Sequence, residues 1–244
     1  MWKDGIEARY IELLKGCLSR TLFPAEEPGV DPSVRHEGRD WPSHAETMIG
    51  TRRLDNLVHC VTAVLQDDVP GDLIETGVWR GGATILMRGV LAAYGVTDRT
   101  VWVADSFRGL PPPDGERYPA DAGINLWEEP FLAVDADQVR ANFARYGLLD
   151  EQVQLLEGWF RDTLPLAPIQ RLAVMRLDGD LYESTNDALE ALYPKLSPGG
   201  YVIVDDYGAI GACRDAVDGF RARAGIDDPL AEIDWTGVFW QRSR

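Results

Sequence analysis

Four aspartates stand directly after two apolar runs of the sequence. Asp178 and Asp180 occur in VMRLDGDLYEST, and Asp205 and Asp206 occur in GGYVIVDDYG. The apolar runs predict buried strands, and in an open parallel sheet the carboxyl ends of such strands meet at one rim, where ligands bind. Carboxylates crowded there repel one another or take up protons unless a cation lies among them. The spacing therefore predicts a metal site of oxygen ligands, which favours a hard ion such as Mg²⁺ over Zn²⁺.

A second interpretation of these aspartates stays open. An aspartate that follows a strand often caps the next helix, because its carboxylate accepts a hydrogen bond from the first backbone amides of that helix. Asp180 precedes the helical stretch ESTNDALEALYPKL and fits that role as well. For Asp205 and Asp206 capping is the weaker explanation, because the two carboxylates are adjacent.

A glycine-rich turn follows an earlier apolar run, in LIETGVWRGGAT. Its glycines, Gly77, Gly81 and Gly82, allow a ligand to approach the backbone closely. A dinucleotide fingerprint would need a glycine where Trp79 stands, and the lysine of a phosphate-binding P-loop is missing. The spacing Glu-x-Gly-x-x-x-Gly is instead typical of S-adenosylmethionine (SAM) sites, with Glu75 placed to meet the cationic amino acid portion.

Two further strand ends support the same ligand. Asp105 ends the run VWVAD, where an acid can accept hydrogen bonds from both hydroxyls of a ribose. In LLEGWF, Gly158 permits a close approach and Trp159 can form a wall of an adenosine pocket. Three strand ends therefore predict one nucleoside-binding rim.

The elements that position these residues begin at Asp72. From there to the carboxyl terminus, short apolar strands alternate with helical stretches, which is typical of an α/β protein with a parallel sheet covered on both faces. The last two strands, AEID and GVFWQR, are close in sequence and predict an antiparallel edge hairpin.

The segment before this core is predicted to be mainly helical. Apolar spacing over Ala8–Leu22 predicts an amphipathic helix, and the proline-bearing run Pro24–Pro42 predicts a loop. Ser43–Asp68 predicts one or two helices, with Ser43 and Glu46 forming a capping box.

Composition limits the class of protein. With 244 residues, 45% of them hydrophobic, the chain is long enough for one full-sized domain. A net charge of −16 argues against unaided binding to nucleic acid or to an anionic membrane, and a small ligand fits better. Three widely spaced cysteines indicate neither a disulfide framework nor a zinc site. No run approaches the ~20 apolar residues of a membrane span, so a cytoplasmic protein is expected.

Six motifs together resemble a known family. They are TMIGTRRLDNL, ETGVWRGGA, VWVADSFRGLP, RYGLLDEQVQLLEGWFRDTLP, RLDGDLYEST and LSPGGYVIVDDY. From about Thr47 onward the chain is similar to the macrocin O-methyltransferase (TylF-like) family, whose members use SAM and Mg²⁺ to methylate sugar hydroxyls of glycosylated antibiotics. The resemblance implies a Rossmann-like class I SAM-dependent methyltransferase fold with a mostly parallel seven-stranded sheet. It further implies an N-terminal helical cap and lid over residues 1–68, a core over 69–244, and a homodimer.

The resemblance also assigns roles to individual residues. Asp178, Asp205 and Asp206 are expected to hold the metal, and Asp180 to act as the general base. Independently of the resemblance, the length and proline-rich start of Pro111–Asp135, between the second strand and its helix, predict a mobile lid that orders over the acceptor. The residues expected to bind SAM are Thr47, Met48, Ile49, Glu75, Thr76, Gly77, Asp105, Ser106, Gly158, Trp159 and Asp178.

Other classes of protein predict different observations. A Mg²⁺-dependent catechol O-methyltransferase would share the sheet and the metal but accept a flat aromatic diol. A non-catalytic SAM-binding protein would need Glu75 and Asp105 but not the four aspartates. His36, His44 and His59 are interpreted as packed or surface side chains rather than bases. For Arg52 and Arg53, contact with the SAM carboxylate and plain solvation remain equal alternatives.

Overall fold

A single seven-stranded sheet runs through the protein. The computed structural model describes residues 5–23 and 31–243, and within them the strand order is β3-β2-β1-β4-β5-β7-β6. The strands are β1 Asp72–Thr76, β2 Val101–Asp105, β3 Val153–Glu157, β4 Leu172–Leu177, β5 Leu196–Val204, β6 Ala231–Glu232 and β7 Val238–Gln241. Strands β1 to β5 are parallel, and β7 is antiparallel to both β5 and β6. The predicted parallel sheet with an antiparallel edge hairpin is confirmed.

Helices cover both faces of this sheet. They are α1 Ile6–Leu18, α2 Pro32–Glu37, α3 Thr51–Gln66, α4 Gly82–Ala93, α5 Ala136–Arg145, α6 Phe160–Thr163, α7 Tyr182–Leu192 and α8 Gly211–Ala224. Alternate strand residues point to opposite faces. Leu73 therefore belongs to a hydrophobic cluster with residues of α1, α3, α4 and α5, whereas Ile74 belongs to a second cluster with residues of α7 and α8. Among the described helices, none is both long and apolar enough to cross a membrane.

Helix α1 is shorter at its carboxyl end than the predicted range Ala8–Leu22. It ends at Leu18 because Arg20 adopts a left-handed φ of 59°, which turns the chain back. The Leu22 side chain then packs directly on Gly16, where a Cβ would lie 2.5 Å from Leu22 Cγ. The spacing of apolar residues does not reveal this reversal, because Leu22 would fall on the same apolar face if the helix continued.

The predicted capping box of Ser43 and Glu46 is wrong. Helix α3 begins only at Thr51, after Gly50, and residues 43–50 are not helical. The buried Glu46 carboxylate instead accepts hydrogen bonds from three side chains distant in sequence, those of Arg20, Arg145 and Tyr146, at 2.9, 3.0 and 3.0 Å. These tertiary bonds satisfy Glu46 better than a local cap on the surface does.

The predicted loop Pro24–Pro42 is partly helical. Residues 24–30 lie outside the described ranges, but α2 follows at Pro32–Glu37. Asp31 caps it by accepting a hydrogen bond from the Ser33 amide at 2.8 Å, and Pro32 occupies the first helical position, where its missing N–H costs nothing. The signal Asp-Pro-Ser therefore starts a helix here.

The N-terminal helices and the core share one hydrophobic cluster. Leu14 of α1 lies so close to Gly89 of α4 that a Cβ at that glycine would be 2.3 Å from Leu14 Cδ2. Leu54 and Val61 of α3 belong to the same cluster as Leu86 of α4. The division into a cap over residues 1–68 and a core over 69–244 stays a prediction.

Candidate active site

The carboxylates after β4 and β5 converge at the carboxyl edge of the sheet. Leu177 and Val204 are paired across the two parallel strands, so the next residues leave the sheet side by side. One carboxylate oxygen from each of Asp178, Asp205 and Asp206 lies within 4.8 Å of the others. The backbone amide of Asp180 donates to Asp206 Oδ2 at 3.3 Å. The structure thus brings all four predicted aspartates together.

Burial and mutual repulsion dominate the electrostatics of this cluster. Burial, reinforced by the neighbouring carboxylates, raises the pKa of Asp178 to about 6 and that of Asp180 to about 8. The pKa of Asp206 is also raised well above its usual value, for the same reasons. At neutral pH a carboxyl group with the pKa of Asp180 is mainly protonated unless a nearby cation offsets the repulsion, whereas Asp178 is mainly ionised.

Arg176 is a residue of the candidate site that sequence reasoning missed. It lies within the fully buried strand β4, its side chain is 2% exposed, and it donates to Asp178 Oδ2 at 2.8 Å. It also forms short ion pairs with Glu75 and Asp205. The signal was present in RLAVMRLD, because an arginine inside an otherwise apolar strand must find buried partners.

Arg53 of α3 supplies the second buried guanidinium. It pairs with Asp205, with Asp234 at 2.9 Å, and with the carbonyl of Gly38 at 3.1 Å. Its burial rules out plain solvation for Arg53, and its contact with the SAM carboxylate stays a prediction, whereas Arg52 is exposed. Burial raises the pKa of Asp205, but the two guanidiniums outweigh it and the net pKa is lowered. Asp205 is therefore the member of the cluster that the protein's own arginines keep ionised.

Two clefts meet at these aspartates. Five of the predicted site residues line only the first cleft: Gly77, Asp105, Ser106, Gly158 and Trp159. Another five line only the second cleft: Thr47, Ile49, Glu75, Asp205 and Asp206. Both clefts are lined by Met48, Trp79, Leu132, Asp178 and Asp180. Thr76 lines neither, and its carbonyl accepts the Asp178 amide at 2.9 Å.

The end of β2 and the glycine turn hold each other in place along the first cleft. Asp105 Oδ2 accepts the Val78 amide at 2.7 Å, and Asp105 Oδ1 accepts the Phe107 amide at 2.8 Å. Burial raises the pKa of Asp105, and these backbone hydrogen bonds offset part of that effect. An acid at the tip of the second strand thus faces the cleft from a rigid support.

Glu75 has an unpaired oxygen. The side chain is 2% exposed and pairs with Arg176 through Oε1, while Oε2 has no hydrogen-bond partner among the described residues. Burial raises the pKa of Glu75 to about 8. A buried carboxylate oxygen without a donor is costly, so this atom fits a ligand that carries a cationic or N–H donor group.

Gly77 is required by the contact between β1 and β4. Its φ is 84°, and a Cβ there would lie 1.7 Å from the carbonyl oxygen of Asp178. Gly95 has a similar φ of 66°, but a Cβ at that position would meet nothing within 4 Å. We expect Gly95→Ala to cost about 1–2 kcal/mol of unfolding free energy from backbone strain. Gly77→Ala should cost about 1–3 kcal/mol more from the clash.

Urea denaturation of both variants measures this difference. Because the two glycines share a left-handed conformation, Gly95→Ala serves as the control for strain without steric contact. Equal losses of unfolding free energy would contradict the close approach of Gly77 to Asp178.

The sheet order, the glycine turn and the acid at the tip of β2 define the class I SAM-dependent methyltransferase fold. An O-methyltransferase from Bacillus cereus, solved in complex with SAH, shares this fold with a TM-score of 0.53 over 97% of this chain and 91% of that one, at 12% identity. Residues 7–242 match the model of the macrocin-O-methyltransferase (TylF) family. The chain belongs to this family and is an O-methyltransferase.

Similar proteins cover nearly the whole chain. A demethyldecarbamoylnovobiocin O-methyltransferase of Streptomyces niveus is 60% identical over 96% of this chain and 94% of its own length. An 8-demethyl-8-(2,3-dimethoxy-α-L-rhamnosyl)-tetracenomycin-C 4'-O-methyltransferase of Streptomyces olivaceus is 59% identical, over 96% and 92%. The solved structure of the O-methyltransferase NovP has a TM-score of 0.94 and 55% identity, and the match covers 98% of this chain and 100% of that one.

Proposed function

We propose that this protein transfers the methyl group of SAM to a deoxysugar hydroxyl of a glycosylated natural product, with a divalent metal, as a step of antibiotic biosynthesis. One observation carries the proposal. The two clefts meet at Asp178 and Asp180, so a methyl donor in the first cleft and a hydroxyl in the second would face each other beside a carboxylate cluster. Methyl transfer requires such an in-line approach.

The names of the relatives support a sugar acceptor. The Streptomyces olivaceus relative is named for a substrate that carries a dimethoxyrhamnosyl group. A third relative, a mycinamicin III 3''-O-methyltransferase of Micromonospora griseorubida, is 51% identical over 98% of this chain and 98% of its own length. Because the present chain shares more than half of its residues with each, a glycoside is the acceptor class that the family membership favours.

The first cleft suits SAM, which supplies an electrophilic methyl group on a sulfonium. Asp105 and Trp159 both line this cleft, where Asp105 would accept hydrogen bonds from the ribose hydroxyls and Trp159 would form a wall for the base. Glu75, whose Oε2 is unpaired, lines only the second cleft, so its pairing with the cationic ammonium of the methionine portion requires SAM to extend past the shared wall into that cleft.

The three clustered carboxylates suit a hard divalent ion. Asp178, Asp205 and Asp206 offer oxygen ligands only, as Mg²⁺ prefers. A bound divalent ion would lower the pKa of a coordinated sugar hydroxyl and fix its position. Each Asp205 oxygen keeps a second lone pair beside the one its arginine occupies, so the ion pairs with Arg53 and Arg176 leave it able to ligate.

Asp180 is the residue we assign as general base. It lines both clefts, and no hydrogen bond from the described residues reaches its carboxylate. It lies between β4 and α7 and has a left-handed φ of 57°. A carboxylate that is free of internal partners at this junction can accept the proton that the attacking hydroxyl loses.

Removal of divalent metal tests the proposal directly. With labelled SAM and a panel of deoxysugar glycosides and catechols, we expect transfer to glycosides in Mg²⁺ and a fall of about 100-fold or more in EDTA, because a Lewis acid contributes several kcal/mol to such a step. Activity should return when Mg²⁺ is restored.

Each other outcome has a distinct meaning. Transfer to catechols alone would replace the sugar acceptor by an aromatic diol. SAM binding without transfer to any acceptor would favour a non-catalytic SAM-binding protein. EDTA-resistant transfer would remove the metal from the proposal. The homodimer and the cytoplasmic location stay predictions, and light scattering of the purified chain tests the first.

A further inference from the structure

The segment between β2 and α5 is attached to the active site through a buried carboxylate. Asp121 lies in a 3-10 turn at Pro119–Asp121 and its side chain is fully buried. Asp121 Oδ1 accepts the backbone amide of Tyr182 at 2.6 Å, and Asp121 Oδ2 accepts that of Glu183 at 3.1 Å. Both amides belong to the first turn of α7, about 60 residues further along the chain.

Helix α7 has no side-chain cap of its own. Its N-cap residue is Leu181, whose side chain accepts no hydrogen bond. The first amides of a helix lack internal acceptors, and a carboxylate there also interacts favourably with the helix dipole. Asp121 therefore performs, from a distant segment, the capping role that the sequence left open for Asp180. The Asp180 carboxylate stays free as a result.

A second attachment fixes the other end of the same segment. The Trp79 Nε1–H of the glycine turn donates to the carbonyl of Phe131 at 3.0 Å. The Phe131 ring stacks on Trp41 with centroids 5.5 Å apart and lies 5.3 Å from the ring of Trp79. These contacts join the segment to the first cleft's rim and to the chain before α3.

Apolar side chains near the two attachments form part of the cleft walls. Leu126, which lies between Asp121 and Phe131, lines the second cleft, and Leu132 lines both clefts. The position of this segment therefore decides the shape of the space in which donor and acceptor would meet.

We propose that Asp121 is a positioning residue that docks this segment as a lid on the first turn of α7. The docked lid encloses the reacting groups, and the cap holds the start of α7, which Leu181 joins to Asp180. The lid role rests on the proposed methyl transfer, whereas the docking itself does not. Asp121 touches neither cleft and acts through the residues that do.

Proteolysis in the lid measures docking without any acceptor. Arg117 is exposed and is the only lysine or arginine between Pro111 and Asp135, so trypsin cleavage before Tyr118 reports the lid alone. In Asp121→Asn one acceptor oxygen becomes an NH₂ group facing an amide N–H. We expect cleavage there to become about 10-fold faster, from the loss of a charge-assisted hydrogen bond. Glu128→Gln removes an exposed lid charge whose side chain makes no hydrogen bond or ion pair among the described residues, and should leave the rate unchanged.

Hydrogen exchange of the unaltered protein provides a measurement that needs no variant. The Tyr182 and Glu183 amides should exchange more slowly than those of Gly211 and Ala212, which begin α8 without a side-chain cap. Equal exchange at the two helix starts, or equal cleavage of Asp121→Asn and Glu128→Gln, would overturn the docking.

Kinetics then separate positioning from simple loop stability. With a glycoside that the unaltered enzyme methylates, we expect Asp121→Asn to lower kcat about 10-fold, whereas Glu128→Gln keeps it unchanged. A released lid with normal kcat and KM would overturn the positioning role and leave the proposed function intact. Absence of transfer by the unaltered enzyme would instead refute the proposed function, and cleavage and exchange would still decide the docking.

Discussion

Replacing Asp180 by asparagine is expected to lower kcat by about 10²–10⁴-fold, the usual contribution of a general base. Asparagine has nearly the same size but cannot accept a proton from the attacking hydroxyl. The backbone amide of Asp180, which bonds to Asp206, is unaffected by the change. Initial rates with labelled SAM at saturating glycoside give kcat, and calorimetry gives SAM affinity separately.

Asp215→Asn is the matched control. Asp215 is exposed on α8, so the same chemical change there should leave kcat unaltered. Near-normal turnover by Asp180→Asn, with SAM and metal binding intact, would refute the assignment of Asp180 as the base. Loss of SAM binding together with turnover would indicate a structural role at the junction of the two clefts.

Arg176→Leu is expected to lower the free energy of unfolding by about 3–5 kcal/mol, because it leaves buried carboxylates without their counter-charge. Glu75, Asp178 and Asp205 all lose an ion pair at once. Leucine fits an apolar strand, so the loss would come from charge rather than from packing. Denaturation in guanidinium chloride at neutral pH, with and without Mg²⁺, measures the effect.

Arg171→Leu separates this effect from a general loss of arginine. Arg171 is exposed just before β4, and its substitution should change the unfolding free energy by less than about 0.5 kcal/mol. Similarly small changes in the unfolding free energy of both variants would mean that the buried carboxylates are protonated in the folded protein and need no guanidinium.

Features that depend on neighbouring strands were predictable from the sequence. Asp178 and Asp205 each follow an apolar run, and strands that lie side by side bring their ends together whatever loops connect them. Gly77 was predicted for the close approach of a ligand, whereas the structure shows that the carbonyl oxygen of Asp178 already excludes a Cβ there. The family resemblance added the role of each residue, which spacing alone does not reveal.

Features that depend on contacts between distant segments were not predictable. The local sequence around Glu46 matches a capping box. Its carboxylate nevertheless accepts a hydrogen bond from Arg145, which is 99 residues away. Asp121 looks like an ordinary loop acid, and its partners on α7 appear only when the chain is folded. Arg53 likewise pairs with Asp234, 181 residues further on.

The wall that the two clefts share has a thermodynamic consequence. Met48, Trp79 and Leu132 contact both spaces, so a molecule that orders these side chains in one cleft changes the free energy of filling the other. Such coupling is reciprocal: the factor by which the donor alters acceptor affinity equals the factor by which the acceptor alters donor affinity. If donor and acceptor occupy the clefts as proposed, we expect a substitution at Leu132 to change both dissociation constants, so that altering the preference for a glycoside there also alters the affinity for SAM.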